Sequence, residues 1–354
     1  MRHMRGGTLA AIAMAGVLAL AGCGSDGGEG GDTGSGEGSG SEALKIGLAY
    51  DIGGRGDQSF NDSAARGLDK AKGEFGVEAT ELEATQGETD AQKEDRLRQL
   101  AEGGYNTVIA VGFAYAAPLG AVAADYPDVK FAIVDDFTEG TDTGPNIANL
   151  TFAEHEGSFL VGAAAALKSE SGNVGFVGGV NTPLIQKFEA GYKAGVKAVK
   201  PDATVQVKYL TQPPDFGGFN DPAKGETAAN GMLDAGADVV YAAAGGSGSG
   251  VFRAAKDKGA KGIGVDSDQY NQPALADVKD VIMTSMVKNV DTAVYDFIKS
   301  VSEGNFQAGQ QVYDLESGGV EYSTSGGMID DITPQLEEYK QQIISGEIEV
   351  PSTT

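Results

Sequence analysis

Three aspartates in this chain each close a short apolar run: Asp51 ends LKIGLAY, Asp135 ends VKFAIV and Asp266 ends GIGV. A carboxylate at a strand end often only turns the chain or caps the next helix. Three of them facing one cleft would be costly if unpaired, and their desolvation would push them toward the neutral acid. A ligand bringing its own donors would satisfy them, as ribose hydroxyls and purine N–H groups can, and Lys288, just beyond the apolar run Val281–Met286, offsets part of the charge.

The stretch Gly53–Asp62 supplies a different kind of equipment. Phe60 heads the helical stripe Phe60, Ala64, Leu68, Ala71, Phe75, and spacing alone would send its ring to the core. Its place at the top of that stripe, where helix meets sheet edge, lets the ring face a ligand. Asn61 beside it carries two donors and an acceptor, enough to read the edge of a heterocycle or a sugar hydroxyl. Ser59 and Asp62 read as a helix N-cap and a first-turn acid. Two or three charge-assisted hydrogen bonds at ~1.5–3 kcal/mol each and one stacked ring at ~1–3 kcal/mol would give micromolar binding or better after the costs of association.

Other chemistries have little raw material. The only histidines are His3 and His155 and the only cysteine is Cys23, so zinc sites and Ser-His or Cys-His catalysis are not expected. The formal charge of −25 repels nucleic acid and favours neutral or cationic ligands. The run Gly245–Gly250 lacks the ending of a P-loop and the spacing of the dinucleotide fingerprint; its bare N–H groups, Gly246 among them, can still meet a ligand oxygen. No cofactor, metal or catalytic residue is expected.

The elements that must position these residues alternate in period. Strands are expected at Leu44–Tyr50, Val77–Ala84, Thr107–Val111, Lys130–Val134, Asn173–Val177, Thr204–Tyr209, Asp238–Ala243 and Gly262–Val265. Helices are expected at Ser59–Phe75, Ala91–Ala101, Tyr115–Ala124, Glu154–Leu167, Leu184–Val199, Ala223–Ala235 and Gly250–Lys258. Short apolar strands between amphipathic helices imply parallel sheets covered on both faces. A break near Asn149–Glu156 divides them into two doubly wound, Rossmann-like α/β domains. The expected lobes are residues 44–150 and 151–287, with about 288–310 returning to the first and 311–354 crossing between them. In such folds ligands bind outside the carboxyl ends of the strands, which singles out loops 51–61, 135–136, 178–183, 245–250 and 266–268.

At the N-terminus, Arg2 and Arg5 precede the apolar run Leu9–Leu20 and small residues before Cys23. This is a secretory signal over residues 1–22, with an apolar run short of the roughly 20 residues that a membrane span needs. Leu20-Ala21-Gly22-Cys23 resembles the bacterial lipobox, which implies lipidation of Cys23 and anchoring outside the cytoplasm. Residues 23–43 are then a lipidated cysteine followed by a flexible Gly/Ser/acidic tether.

From about Leu44 onward the chain resembles the basic membrane protein family of lipoproteins, whose purine nucleoside receptor branch serves as the substrate-binding component of ABC importers. The resemblance rests on Asp51-Ile52-Gly53-Gly54 with Asp57–Asn61, Asp221–Gly225, Ala243–Gly246 with Gly250-Val251-Phe252, Gly264–Gln269 and Lys288–Asp291. It departs at Gln58, where the family usually has Lys or Arg. The resemblance implies a type I periplasmic-binding-protein fold, two lobes on a hinge, and no enzymatic step. It also implies that Phe60 stacks on the base, that Asp51, Asn61 and Asp135 meet it, and that Asp266 and Lys288 meet the ribose. A second aromatic should sandwich the base; Phe219 is the first choice, then Phe216 and Tyr270. The implied partners are a nucleoside, an ABC permease with its ATPase, and the membrane through the N-terminal lipid; the protein is expected to be a monomer. Competing readings are a sugar-binding importer component, a nucleoside hydrolase holding Ca²⁺ between residues 135–136 and 266–268, and a surface lipoprotein that binds a macromolecule through an apolar patch.

Overall fold

The computed structural model describes residues 44–354; the expected signal segment, Cys23 and the tether lie outside the described residues. The first half of the chain runs β1 (Lys45–Ala49), α1 (Phe60–Phe75), β2 (Glu78–Leu82), α2 (Asp90–Glu102), β3 (Thr107–Val111), α3 (Ala116–Ala123), β4 (Lys130–Val134) and β5 (Ile147–Phe152). The second runs α4 (Glu154–Lys168), β6 (Asn173–Val180), α5 (Pro183–Val199), β7 (Thr204–Thr211), α6 (Pro222–Asp234), β8 (Val239–Ala243), α7 (Gly248–Lys258), β9 (Lys261–Asp266) and β10 (Ile282–Lys288). Then follow α8 (Val290–Ser302), β11 (Gly309–Tyr313), β12 (Val320–Tyr322) and α9 (Thr333–Ile344).

Local chemistry accounts for the element ends. α1 buries Ala64, Leu68 and Ala71, and stops at Gly76, whose left-handed φ of 65° lets its N–H return to the Lys72 carbonyl. α2 opens on a reciprocal capping box between Thr89 and Gln92. Central strands such as β3 (TVIAV) are buried throughout, as a parallel sheet covered on both faces requires.

The strands form two six-stranded sheets, in the orders β11-β5-β4-β3-β1-β2 and β12-β10-β9-β8-β6-β7. All pairings are parallel except β12, which lies antiparallel on β10. Leaving out β11 and β12, both sheets carry the same doubly wound order, with the first strand between the second and third; the crevice at that reversal is where such folds take ligands.

β5, β11 and β12 were not expected as strands, and β5 departs most. Residues placed in an interdomain break form β5, six buried residues between β4 and β11. Its sequence, IANLTF, hides the strand because Asn149 breaks the apolar run, yet its NH2 group donates internally to the Asp142 carboxylate at 2.9 Å and to the carbonyls of Asp136 and Asp142 at 3.2 Å. The chain passes between the halves three times: from β5 to α4, from β10 to α8, which packs on α1, and from β11 to β12. These crossings are stitched together by hydrogen bonds from Ala153 N–H to the Tyr313 carbonyl (2.9 Å) and from Asn289 N–H to the Gly319 carbonyl (2.8 Å).

Candidate functional site

The carboxyl ends of strands in both sheets open onto one cleft. From the first half come Asp51 and Ile52 after β1, Phe113 after β3, Asp135 after β4, and Asp57, Phe60 and Asn61 around the start of α1. From the second come Leu184, Ile185 and Phe188 on α5, Phe219 on the turn between β7 and α6, Ala243 closing β8 and Gly245 after it, Val265 and Asp266 on β9, and Lys288 closing β10. The space free of protein atoms between these residues, open solvent at its mouth included, is about 530 Å³.

Asp135 and Asp266 occupy equivalent places, each ending the fourth strand of its half. Both have left-handed backbones, with φ of 72° and 63°. That conformation is rare for residues with a side chain and persists where surrounding structure enforces it, commonly at functional sites. The space between the two carboxylates holds the Lys288 ammonium, a buried side chain 2.6 Å from Asp135 Oδ2 and 3.9 Å from Asp266 Oδ1. Three rings surround the same nitrogen, with centroids at 4.8 Å (Phe60), 5.3 Å (Phe152) and 5.4 Å (Phe188), so attraction to the ring faces adds to the ion pairing. The second oxygen of Asp135 is buried and has no hydrogen-bond partner, an unspent acceptor that calls for a reason. The second oxygen of Asp266 accepts from Ser59 Oγ at 2.6 Å across the cleft. Burial raises the Asp266 carboxyl above its ordinary range, opposed by Lys288 and Ser59.

The loop before α1 is knit by carboxylates. Asp57 accepts from the N–H groups of Ser59 (2.9 Å), Asn61 (2.9 Å) and Asp62 (3.1 Å) and from the Asn61 amide (3.0 Å). Asp62 accepts from the N–H groups of Gly56 and Gln58. Asp57, and not Ser59, therefore caps the helix, and the Ser59 hydroxyl is free to reach Asp266; this corrects the sequence reading of Ser59. Asn61 spends its carbonyl oxygen on Asp51 N–H (3.0 Å) and its amide on Asp57 and the Ile52 carbonyl. It orders the cleft wall more than it offers free donors. Asp51 accepts from Ile52 N–H at 2.7 Å, and burial pushes its carboxyl up to about 7. Gly112, at φ 106°, lies against it: a β-carbon there would stand 2.7 Å from Asp51 Oδ2.

Seven of the eight residues singled out as ligand contacts, Asp51, Phe60, Asn61, Asp135, Phe219, Asp266 and Lys288, line the cleft. Gly246 does not. The left-handed turn at Gly245 (φ 55°) puts Gly245 on the cleft and turns Gly246 toward Asn220 and the Asp57 carbonyl. Of the three candidate second aromatics, Phe219 lines the cleft, its ring lying so close over Gly179 that a β-carbon there would meet it at 2.4 Å. Phe216 packs edge-on against Phe113 with centroids 5.7 Å apart, and Tyr270 lies over Gly326 beside Lys279. Phe113, Phe188, Asp57 and Glu154, the last a buried acid behind Lys288, were not expected. The strand-end rule, applied also to β3, would have found Phe113; Phe188 lies one helical turn below Leu184.

A family profile described as Bmp, ABC transporter substrate-binding protein PnrA-like, matches residues 43–354. A CD4+ T-cell-stimulating antigen of Listeria monocytogenes is 36% identical, covering 88% of this chain and 89% of the relative. An ABC transporter nucleoside-binding protein, BmpA, of Lactococcus lactis is 34% identical, covering 87% and 89%. Among solved structures, an ABC transporter solute-binding protein of Aeropyrum pernix matches with a TM-score of 0.76 at 31% identity, covering 88% of this chain and 94% of that one.

Proposed function

For a chain that belongs to the PnrA-like substrate-binding proteins of ABC transporters, we propose that the cleft takes a purine nucleoside and that the protein presents it to a membrane permease. Members of this family bind a substrate for transport and are not enzymes. The observation that carries the nucleoside reading is the pairing, in one cleft, of flat aromatic walls with acidic acceptors from both halves. Phe60 and Phe219 offer ring faces, and Asp51 and Asp135 offer acceptors to the base. Asp266 and Lys288 offer an acceptor and a donor to the ribose. The relative named as a nucleoside-binding protein supports the same class.

In this reading the three crossings act as a hinge. Ligand touching both halves stabilises the closed form by its extra affinity for that form. Closure also engages Ser59 with Asp266, Ser267 Oγ with the Ser59 carbonyl (3.0 Å), Arg66 with Ser267 (3.1 Å) and the Gln269 amide with the Gln58 carbonyl (3.0 Å). Gln58, at φ 61°, thus serves the closing rim through its backbone, where its uncharged side chain is tolerated. A permease with its ATPase is the partner that would reopen the halves, and lipid on Cys23 would keep the protein at the outer face of the cell membrane. Thermal melting with a panel of ligands tests the reading: adenosine, guanosine and inosine should raise Tm in the order of their affinity while ribose leaves it unchanged. A rise with ribose alone would replace the nucleoside with a sugar.

A further inference from the structure

Behind the cleft lies a carboxyl group that the proposed binding mode does not use. Glu154 opens α4 directly after the chain leaves β5 for the second half. It is fully buried, and neither of its oxygens has a hydrogen-bond partner. A buried carboxyl in that condition demands a reason. Two cations flank it: Lys187 Nζ on α5 is 3.5 Å from Oε2, and Lys288 Nζ is 3.9 Å from Oε1. Asp135 at the end of β4 and the Tyr241 hydroxyl on β8 also feel its charge, and Asp266 shares the same ammonium at 3.9 Å. Burial and Lys187 hold the imidazole of His155, next in the chain, below its ordinary pKa.

We propose that Glu154 is a positioning residue: pulling on Lys288 from behind, at the first crossing between the halves, it decides how far the ammonium leans into the cleft and so couples ligand affinity to its own protonation. Lys288 bonds closely to Asp135 alone, and Asp266 and Glu154 stand equidistant as rivals for what remains of its charge. Protonation of Glu154 removes one rival and releases the ammonium toward Asp266 and the ligand. The change falls in a useful range, because burial lifts the Glu154 carboxyl to about 7 in spite of Lys288 and Lys187. A ligand that draws the ammonium toward itself takes charge compensation from Glu154, whose ionised form leans on Lys288, and disfavours that form further. The bound-state pKa then lies above the free-state value, so binding takes up a proton. Affinity is greatest below the free-state pKa and falls as pH rises through it to the bound-state value.

The choice of ligand rests on the nucleoside reading, and two measurements keep the two ideas separable. The first is calorimetric titration with inosine between about pH 6 and pH 8, in two buffers of different ionisation enthalpy. Wild-type affinity should fall by at least about threefold across that range, with measurable proton uptake at neutral pH. Glu154→Gln, which keeps the shape but cannot ionise, should reduce both the slope and the uptake, leaving the share contributed by Asp51, whose carboxyl is also raised to about 7; the same slope and uptake in the variant would overturn the proposal. The second is an NMR titration of the Lys288 Nζ and Cε signals in the unliganded wild-type protein, assigned with Lys288→Arg. It should show an inflection at about pH 7, and its absence would overturn the proposal even if the variant fails to fold. If inosine does not bind the wild type, the nucleoside reading fails and the lysine titration alone decides the role of Glu154.

Discussion

At Phe60, helical spacing and strand-end geometry pull in opposite directions. The ring continues the buried stripe of α1, yet it lines the cleft 4.8 Å from the Lys288 ammonium. A ring in that position contributes about 1–3 kcal/mol when a base stacks on it, so Phe60→Ala should raise the Kd for a purine nucleoside tenfold or more. Asp266→Ala should do the same by removing an acceptor and leaving Lys288 less well compensated. Calorimetric titration of both variants checks this, and wild-type affinity in both would remove these residues from the site. Lys288→Met should cost the ligand-free fold about 3–5 kcal/mol, the usual penalty for orphaning a buried charge partner, here Asp135; a urea-unfolding midpoint at the wild-type value would contradict it. The acids at strand ends were legible in the sequence because their position in the fold class determines their exposure. The partner that each one finds was not: Ser59 and Asp266 are 207 residues apart, and no local pattern reports such a pairing.

At the scale of elements, the start of α1 shows why a helix cap cannot be read from residue type alone. Ser59 and Asp57 are both good cap residues, and the choice between them depends on the turn formed by Gly53, Gly54 and Gly56, all at positive φ. Asp57→Ala should cost about 1–2 kcal/mol in urea unfolding and loosen the wall formed by Asn61. Ser59→Ala should leave the helix nearly unaffected and weaken contact between the halves. Equal stability costs in the two variants would return the cap to Ser59. β5 was hidden for a related reason: Asn149 and Thr151 look like loop residues until the turn at 136–142 and strand β11 are in place to satisfy them. β3, β4, β8 and β9, buried on both faces, were recovered to within a residue or two because continuous apolar runs have few other uses.

Across the whole molecule, the cleft and the first crossing between the halves concentrate charge that is poorly solvated, and this should appear in the dependence of stability on pH. Burial holds Asp51, Asp57 and Glu154 up to about 7, 6 and 7. Between the ordinary carboxyl pKa of about 4 and those values the folded chain binds more protons than the unfolded one, so stability falls as pH rises through that window. The formal charge of −25 adds self-repulsion of the same sign. On the acid side, Glu81 and Glu88 are held below the ordinary range by Arg55 and Arg96 in spite of burial, and their contribution is lost as pH falls through their folded-state values. The Tm of the ligand-free domain should therefore peak near about pH 4–5 and decline toward pH 8; a Tm that climbs steadily to pH 8 would contradict this reading of the buried acids.

The central claim is that one cleft, walled by Phe60 and Phe219 and floored by Asp51, Asp135, Asp266 and Lys288, recognises a purine nucleoside. Isothermal titration of the domain beginning at Leu44, stripped of carried-over ligand by partial unfolding and dialysis, tests it most directly. Adenosine, guanosine and inosine should bind at micromolar Kd or tighter, with uridine weaker and ribose silent. Binding of ribose without the nucleosides, or silence toward the whole panel, would contradict the claim.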